Sequence, residues 1–82
     1  MVRVSIQTAN LAAAAEAVPS HSTVHDARLV DRRDHGGRHV LEVVFLPEVD
    51  RVPPGVMWIL VDHDCGIGDV QQQGDFLIAE VR

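Results

Sequence analysis

Apolar and polar residues alternate at the start of the chain. Val2, Val4 and Ile6 interleave with Arg3, Ser5 and Gln7, the period-two pattern of a half-buried strand. The pattern then changes. Leu11, Ala14, Ala15 and Val18 fall at i, i+3, i+4 and i+7, which is one face of a helix, and the intervening alanines are the best helix formers. This spacing predicts a short helix over 10–18, capped by Thr8 or Asn10 and stopped by Pro19, which pushes its predecessor out of the α region. Val24 to Asp31 and Arg38 to Leu46 read as strands around Asp34-His35-Gly36-Gly37, a hairpin signal. The second strand is apolar on both faces, with Leu41, Val43 and Phe45 on one and Val40 and Val44 on the other, as expected of a central strand. Pro47 to Gly55 contains three prolines and reads as a surface connection. Val56 to Val61 is an unbroken apolar run of six and predicts a fully buried strand. Asp62 to Gly74 is expected to be loop, with one helical turn at Val70 to Gln73. Phe76 to Val81 closes the chain as a last strand.

These elements run in the order β-α-β-β-β-β. They predict a two-layer α+β fold, one short helix packed on a mostly antiparallel four- to five-stranded sheet. A helical crossover of just over a dozen residues permits the first two strands to be parallel. The whole chain, residues 1–82, is room for a single domain.

Composition supports the sheet. Fourteen valines, stiff at χ1 and suited to a pleated surface, supply much of the core. Trp58, Met57, Phe45 and Phe76 are expected to be core residues, and aromatics at 4% leave no stacking platform for single-stranded nucleic acid. The single cysteine, Cys65, excludes an intrachain disulfide. No apolar run approaches the ~20 residues that span a bilayer, and the N-terminus lacks the apolar stretch of a signal peptide. The expected location is the cytoplasm. All seven basic residues are arginine, a coding bias of GC-rich bacterial or phage genes.

Charge is unevenly distributed. Residues 1–46 carry five acids and five arginines, whereas residues 47–82 carry seven acids and two arginines, so the whole formal net charge of -5 lies in the C-terminal part. Folding of the segment from Asp62 to Asp75 against its neighbours would gather Asp62, Asp64, Asp69 and Asp75 into an acidic patch. Such a patch repels nucleic acid and attracts basic protein surfaces. Arg32 and Arg33 are flanked by Asp31 and Asp34 and read as a self-paired, solvated cluster.

Candidate chemistry is sparse. His21/His25 and His35/His39 are spaced as metal-binding pairs on a helix, but extended backbone separates such residues by ~13 Å, too far for one zinc. His63, Asp64 and Cys65 sit in the densest cluster of functional side chains and are weak metal candidates. The surrounding segment departs from a calcium loop, with Gly66 fifth and Gln73 twelfth. Gly66-Ile-Gly68 lacks the third glycine of a dinucleotide site. No cofactor is expected. A Cys65/His63 nucleophile pair would have to form between neighbours two apart, with no oxyanion site.

In size, acidity and absence of motif, the chain resembles as a class the phage-encoded inhibitors of bacterial defence, such as anti-CRISPR proteins. The resemblance implies a non-enzymatic inhibitor or regulator that docks on a larger protein or ribonucleoprotein complex. The residues themselves point the same way, to a small acidic protein-binding module with Asp62, Asp64, Asp69 and Asp75 as contacts to a basic surface, binding no nucleic acid directly. The alternative is a metal- or small-ligand-binding domain, an enzyme if dimerisation completes its site, built on the loop from Asp62 to Asp69. A homodimer through an edge strand, the first or the last, is compatible with either.

Overall fold

Alanine dominates the first element, and the backbone follows its propensity: α1 runs Ile6–Ala17. The computed structural model describes residues 6–32 and 38–82. The expected strand at Val2 to Ile6 therefore lies outside the described residues except for Ile6, which begins α1 instead. Leu11, Ala14 and Val18 are buried, so the predicted helix face is the one that packs. Past Ala17 the chain tightens into a 3₁₀ turn, Val18–Ser20, because Pro19 has no N–H to continue the α ladder. The Ser20 hydroxyl donates to the Ala17 carbonyl at 2.6 Å.

β1 (Val24–Arg32) and β2 (Arg38–Phe45) form the predicted antiparallel pair, with Ala27 opposite Val43 and Leu29 opposite Leu41. The hairpin tip, 33–37, lies outside the described residues. Two expectations fail after that. Val56 to Val61 is not a strand but the body of α2 (Pro54–Asp62). The segment 67–73 is neither loop nor helical turn but β3 (Ile67–Gln73). Its hairpin to β4 (Phe76–Val81) turns through Gly74 at φ +61° and Asp75, a two-residue loop with positive φ at its first position.

The strand order is β1-β2-β4-β3, with every neighbour antiparallel. The last strand, expected at an edge, is central; the edges are β1 and β3. Among the described residues the element order is thus α-β-β-α-β-β, and the α+β class stands with two helices in place of one. Leu41, Val43 and Phe45 of β2 and Leu77, Ala79 and Val81 of β4 share one sheet face. They meet Leu11, Ala14 and Val18 beside α1 and Val56 and Leu60 of α2 in a single buried cluster. The other sheet face carries Arg28, Glu42, Val44, Asp69, Gln71, Ile78 and Glu80 across the four strands. Among the described residues no helix is long and apolar enough to cross a membrane.

Phe45 is the largest fully buried side chain described. Phe45→Ala is expected to cost about 3–5 kcal/mol, a large share of the stability of a small domain. A thermal melt should show a fall of more than ~12 °C.

Candidate protein-docking surface

α2 has nine residues, Pro-Gly-Val-Met-Trp-Ile-Leu-Val-Asp, and is apolar almost all round. A helix lying on a sheet buries only one side. Val56 and Leu60, one turn apart, are buried, and Ile59 is packed against the same cluster. The opposite side carries Pro54, Met57, Trp58 and Val61 at i, i+3, i+4 and i+7, which line one shallow depression. Trp58, expected in the core, is 68% exposed, Val61 is 58% exposed and Met57 48%. With ordinary side-chain areas this is on the order of 400 Å² of apolar surface, the size of a monomer's largest patch, which is often functional.

Both ends of α2 are held by specific contacts. At its start, Pro53 is the N-cap and Pro54 occupies the first helical position, where a missing N–H costs nothing. The His21 ring lies against Gly55, where a Cβ would stand 2.6 Å from His21 Nε2. The ring is set by Thr23, whose backbone N–H donates to His21 Nδ1 at 3.3 Å and whose hydroxyl lies 2.7 Å from the same atom.

At its end, the Cys65 N–H donates to the Leu60 carbonyl at 2.8 Å and the Asp64 N–H to the Val61 carbonyl at 3.0 Å. These are the two bonds of a Schellman stop, and Asp64 takes the left-handed position such a stop requires, φ 56°. The His63 ring donates from Nδ1 to the Ile59 carbonyl at 2.8 Å, satisfying another terminal carbonyl. The buried Cys65 thiol donates to the His63 carbonyl at 3.3 Å. Burial, reinforced by the negative charge of Asp64, pushes that thiol above its ordinary pKa, so it stays protonated and is a poor nucleophile. The cluster 62–66 is therefore a helix terminus. Its histidine and thiol face separate carbonyls rather than each other. Among the described residues no three His, Cys, Asp or Glu side chains converge to hold a metal ion.

The four candidate acids are all exposed, but the fold divides them. Asp62 and Asp64 flank Val61 at the C-terminal end of the apolar stripe. Asp69 is on β3, opposite Glu80, on the sheet face away from the helices, where its carboxylate accepts the Val70 N–H and the Gln71 amide, each at 2.9 Å. Asp75 sits in the β3–β4 turn, beyond the far end of a seven-residue strand that at ~3.3 Å per residue separates it from Asp64 by more than ~20 Å. Glu48 and Asp50, exposed before α2, were not singled out by sequence. Asp50 pairs loosely with Arg51 at 3.8 Å, both side chains being almost fully solvated. The pair His21/His25 is likewise split, since His21 abuts α2 while the His25 ring stacks on Phe76 with centroids 5.6 Å apart. His35 lies outside the described residues, and His39 is exposed on β2.

No known protein family, curated protein or solved structure matches the chain.

Asp64 is strained by its Cβ, so Asp64→Gly is expected to raise stability by about 0.5–1 kcal/mol and Asp64→Val to lower it, both read from chemical denaturation. Cys65 sets a second expectation. Above roughly pH 8.5 the unfolded chain loses a thiol proton that the folded chain retains, so stability falls as pH rises through that window. The slope of melting temperature between pH 8 and 10 should flatten in Cys65→Ala relative to the parent.

Proposed function

We propose that the protein is a non-enzymatic protein-binding module. It lays the outward face of α2 in an apolar groove of a larger partner, with Asp62 and Asp64 against basic residues at the groove's rim. The observation that carries this reading is Trp58, 68% exposed at the centre of a stripe with Met57 and Val61. Tryptophan exposed on a rigid helix is costly to leave in water and is the residue type most enriched among binding anchors. Spacing at i, i+3, i+4 and i+7 is that of helices recognised in grooves.

Charge indicates the kind of partner. The residues from 47 onward hold seven acids and two arginines, and four of those acids, Glu48, Asp50, Asp62 and Asp64, bracket α2 in sequence. A basic rim complements them, speeding encounter and rejecting acidic competitors. A complex that handles nucleic acid presents such a basic surface to bind phosphate, and the proposed role is an inhibitor or regulator of such a complex in the cytoplasm. Direct nucleic-acid binding is disfavoured by the same charge. A metal- or small-ligand site at 62–69 has less support, because His63, Asp64 and Cys65 are already engaged in ending α2.

The test is affinity capture followed by titration of the captured partner at two salt concentrations. Trp58→Ala is expected to weaken binding by about 30-fold or more, equivalent to ~2 kcal/mol, and to move the melting temperature by only a few degrees. Asp62→Asn with Asp64→Asn, which keeps a residue tolerant of positive φ, should weaken binding at low salt and flatten its salt dependence. Full binding by Trp58→Ala would sink the proposal.

A further inference from the structure

The outer edge of β3 is a strand with nothing beside it among the described residues. All of Gly68 to Gln73 is exposed, and only Ile67 is half-buried. Edge strands expose unpaired backbone donors and acceptors, and folds normally guard them with Pro, Lys, bulges or charge. The two edges of this sheet are guarded unequally. β1 has a register shift at His25 and exposed charges at Asp26 and Arg28. β3 has a register shift at Gly68 but no proline, no basic residue and a single charge, Asp69.

We propose that β3 pairs antiparallel with β3 of a second copy, making a symmetric dimer with one continuous eight-stranded sheet. The middle of the strand, 69–71, is self-complementary about Val70. Ile67–Gln73 centres on Val70, an apolar residue left 41% exposed on the helix-bearing face, where it lies opposite buried Ala79. A two-fold axis through Val70, perpendicular to the sheet, sets Val70 opposite the partner's Val70. It also sets Asp69 opposite the partner's Gln71 on the open face of the sheet, and the register shift at Gly68 ends the regular overlap beyond these three positions. Over 69–71 the facing residues lie on the same side of the sheet, no carboxylate meets a carboxylate, and the amide of Gln71 gains a second acidic partner. Roughly two to four backbone hydrogen bonds span an overlap of this length. The α2 stripe is a poorer self-contact, because a second copy would bring Asp62 and Asp64 against its own acids; the dimer leaves that surface free.

Sedimentation equilibrium of the full chain from micromolar to millimolar concentration tests this, with Val70→Lys, Val70→Glu and their equimolar mixture beside the parent. The parent is expected at about 18 kDa, twice the 9.0 kDa chain. Each charged variant, folded by circular dichroism, is expected at the monomer mass because like charges face each other at the axis, and the mixture should recover the dimer. Hydrogen exchange of the parent supplies a readout that needs no variant: amides on the outer edge of β3 should exchange more slowly as concentration rises. A monomeric parent at every concentration, dimeric charged variants, or dissociation by Trp58→Ala instead would each overturn the proposal.

Discussion

Burial of Val56 and Leu60 in the same cluster as β2 and β4 decides what α2 shows to solvent. Nine residues with apolar side chains on every side cannot all be covered by one sheet. Once the inward pair is seated, the helical repeat places Pro54, Met57, Trp58 and Val61 outward. The ends of α2 preserve that orientation: His21 closes on Gly55 at one end, and the Asp64 stop fixes the rotation at the other. The exposed tryptophan is thus a consequence of core packing, and loosening the core would blur the surface along with it.

The same economy governs the sheet. Among the described residues two short helices cover one face, and the open face carries Arg28, Glu42, Asp69 and Glu80. There Glu42 of β2 lies opposite Glu80 of β4, a like-charge pairing that is unfavourable on a strand face. Arginines flank it from both sides, Arg28 at 3.7 Å from Glu42 and Arg82 at 3.4 Å from Glu80. Half-exposed ion pairs contribute at most about 1 kcal/mol each, so they offset repulsion rather than build stability. No polar or charged side chain is buried among the described residues, and the fold stands on apolar packing and backbone pairing.

The two surfaces argued to bind partners occupy different parts of the molecule, one on the outer side of the helical layer and one along a sheet edge. A dimer through β3 would present two α2 stripes. Engagement of a partner with two matching grooves would then gain from effective concentration without any new contact.

By itself the sequence determined α1, β1, β2 and β4, because each carries a local signal strong enough to stand alone. Alanine propensity and i, i+3, i+7 spacing define α1, and Pro19 ends it. The hairpin signal between them defines β1 and β2, and short runs rich in apolar residues define β2 and β4. It also determined where the acids lie along the chain, including Asp62 and Asp64. Tertiary structure decided the rest. The run from Val56 to Val61 is too short and too uniformly apolar for its period to distinguish helix from strand, and only Pro53-Pro54 ahead of it hinted at a helix start. β3, with Gly68, Asp69 and three glutamines, has little strand propensity of its own; pairing with β4 through the Gly74-Asp75 turn makes it a strand. Apolar character alone put Trp58 in the core. A sheet has one face to give to α2, and that geometric limit, absent from any local pattern, leaves Trp58 in water.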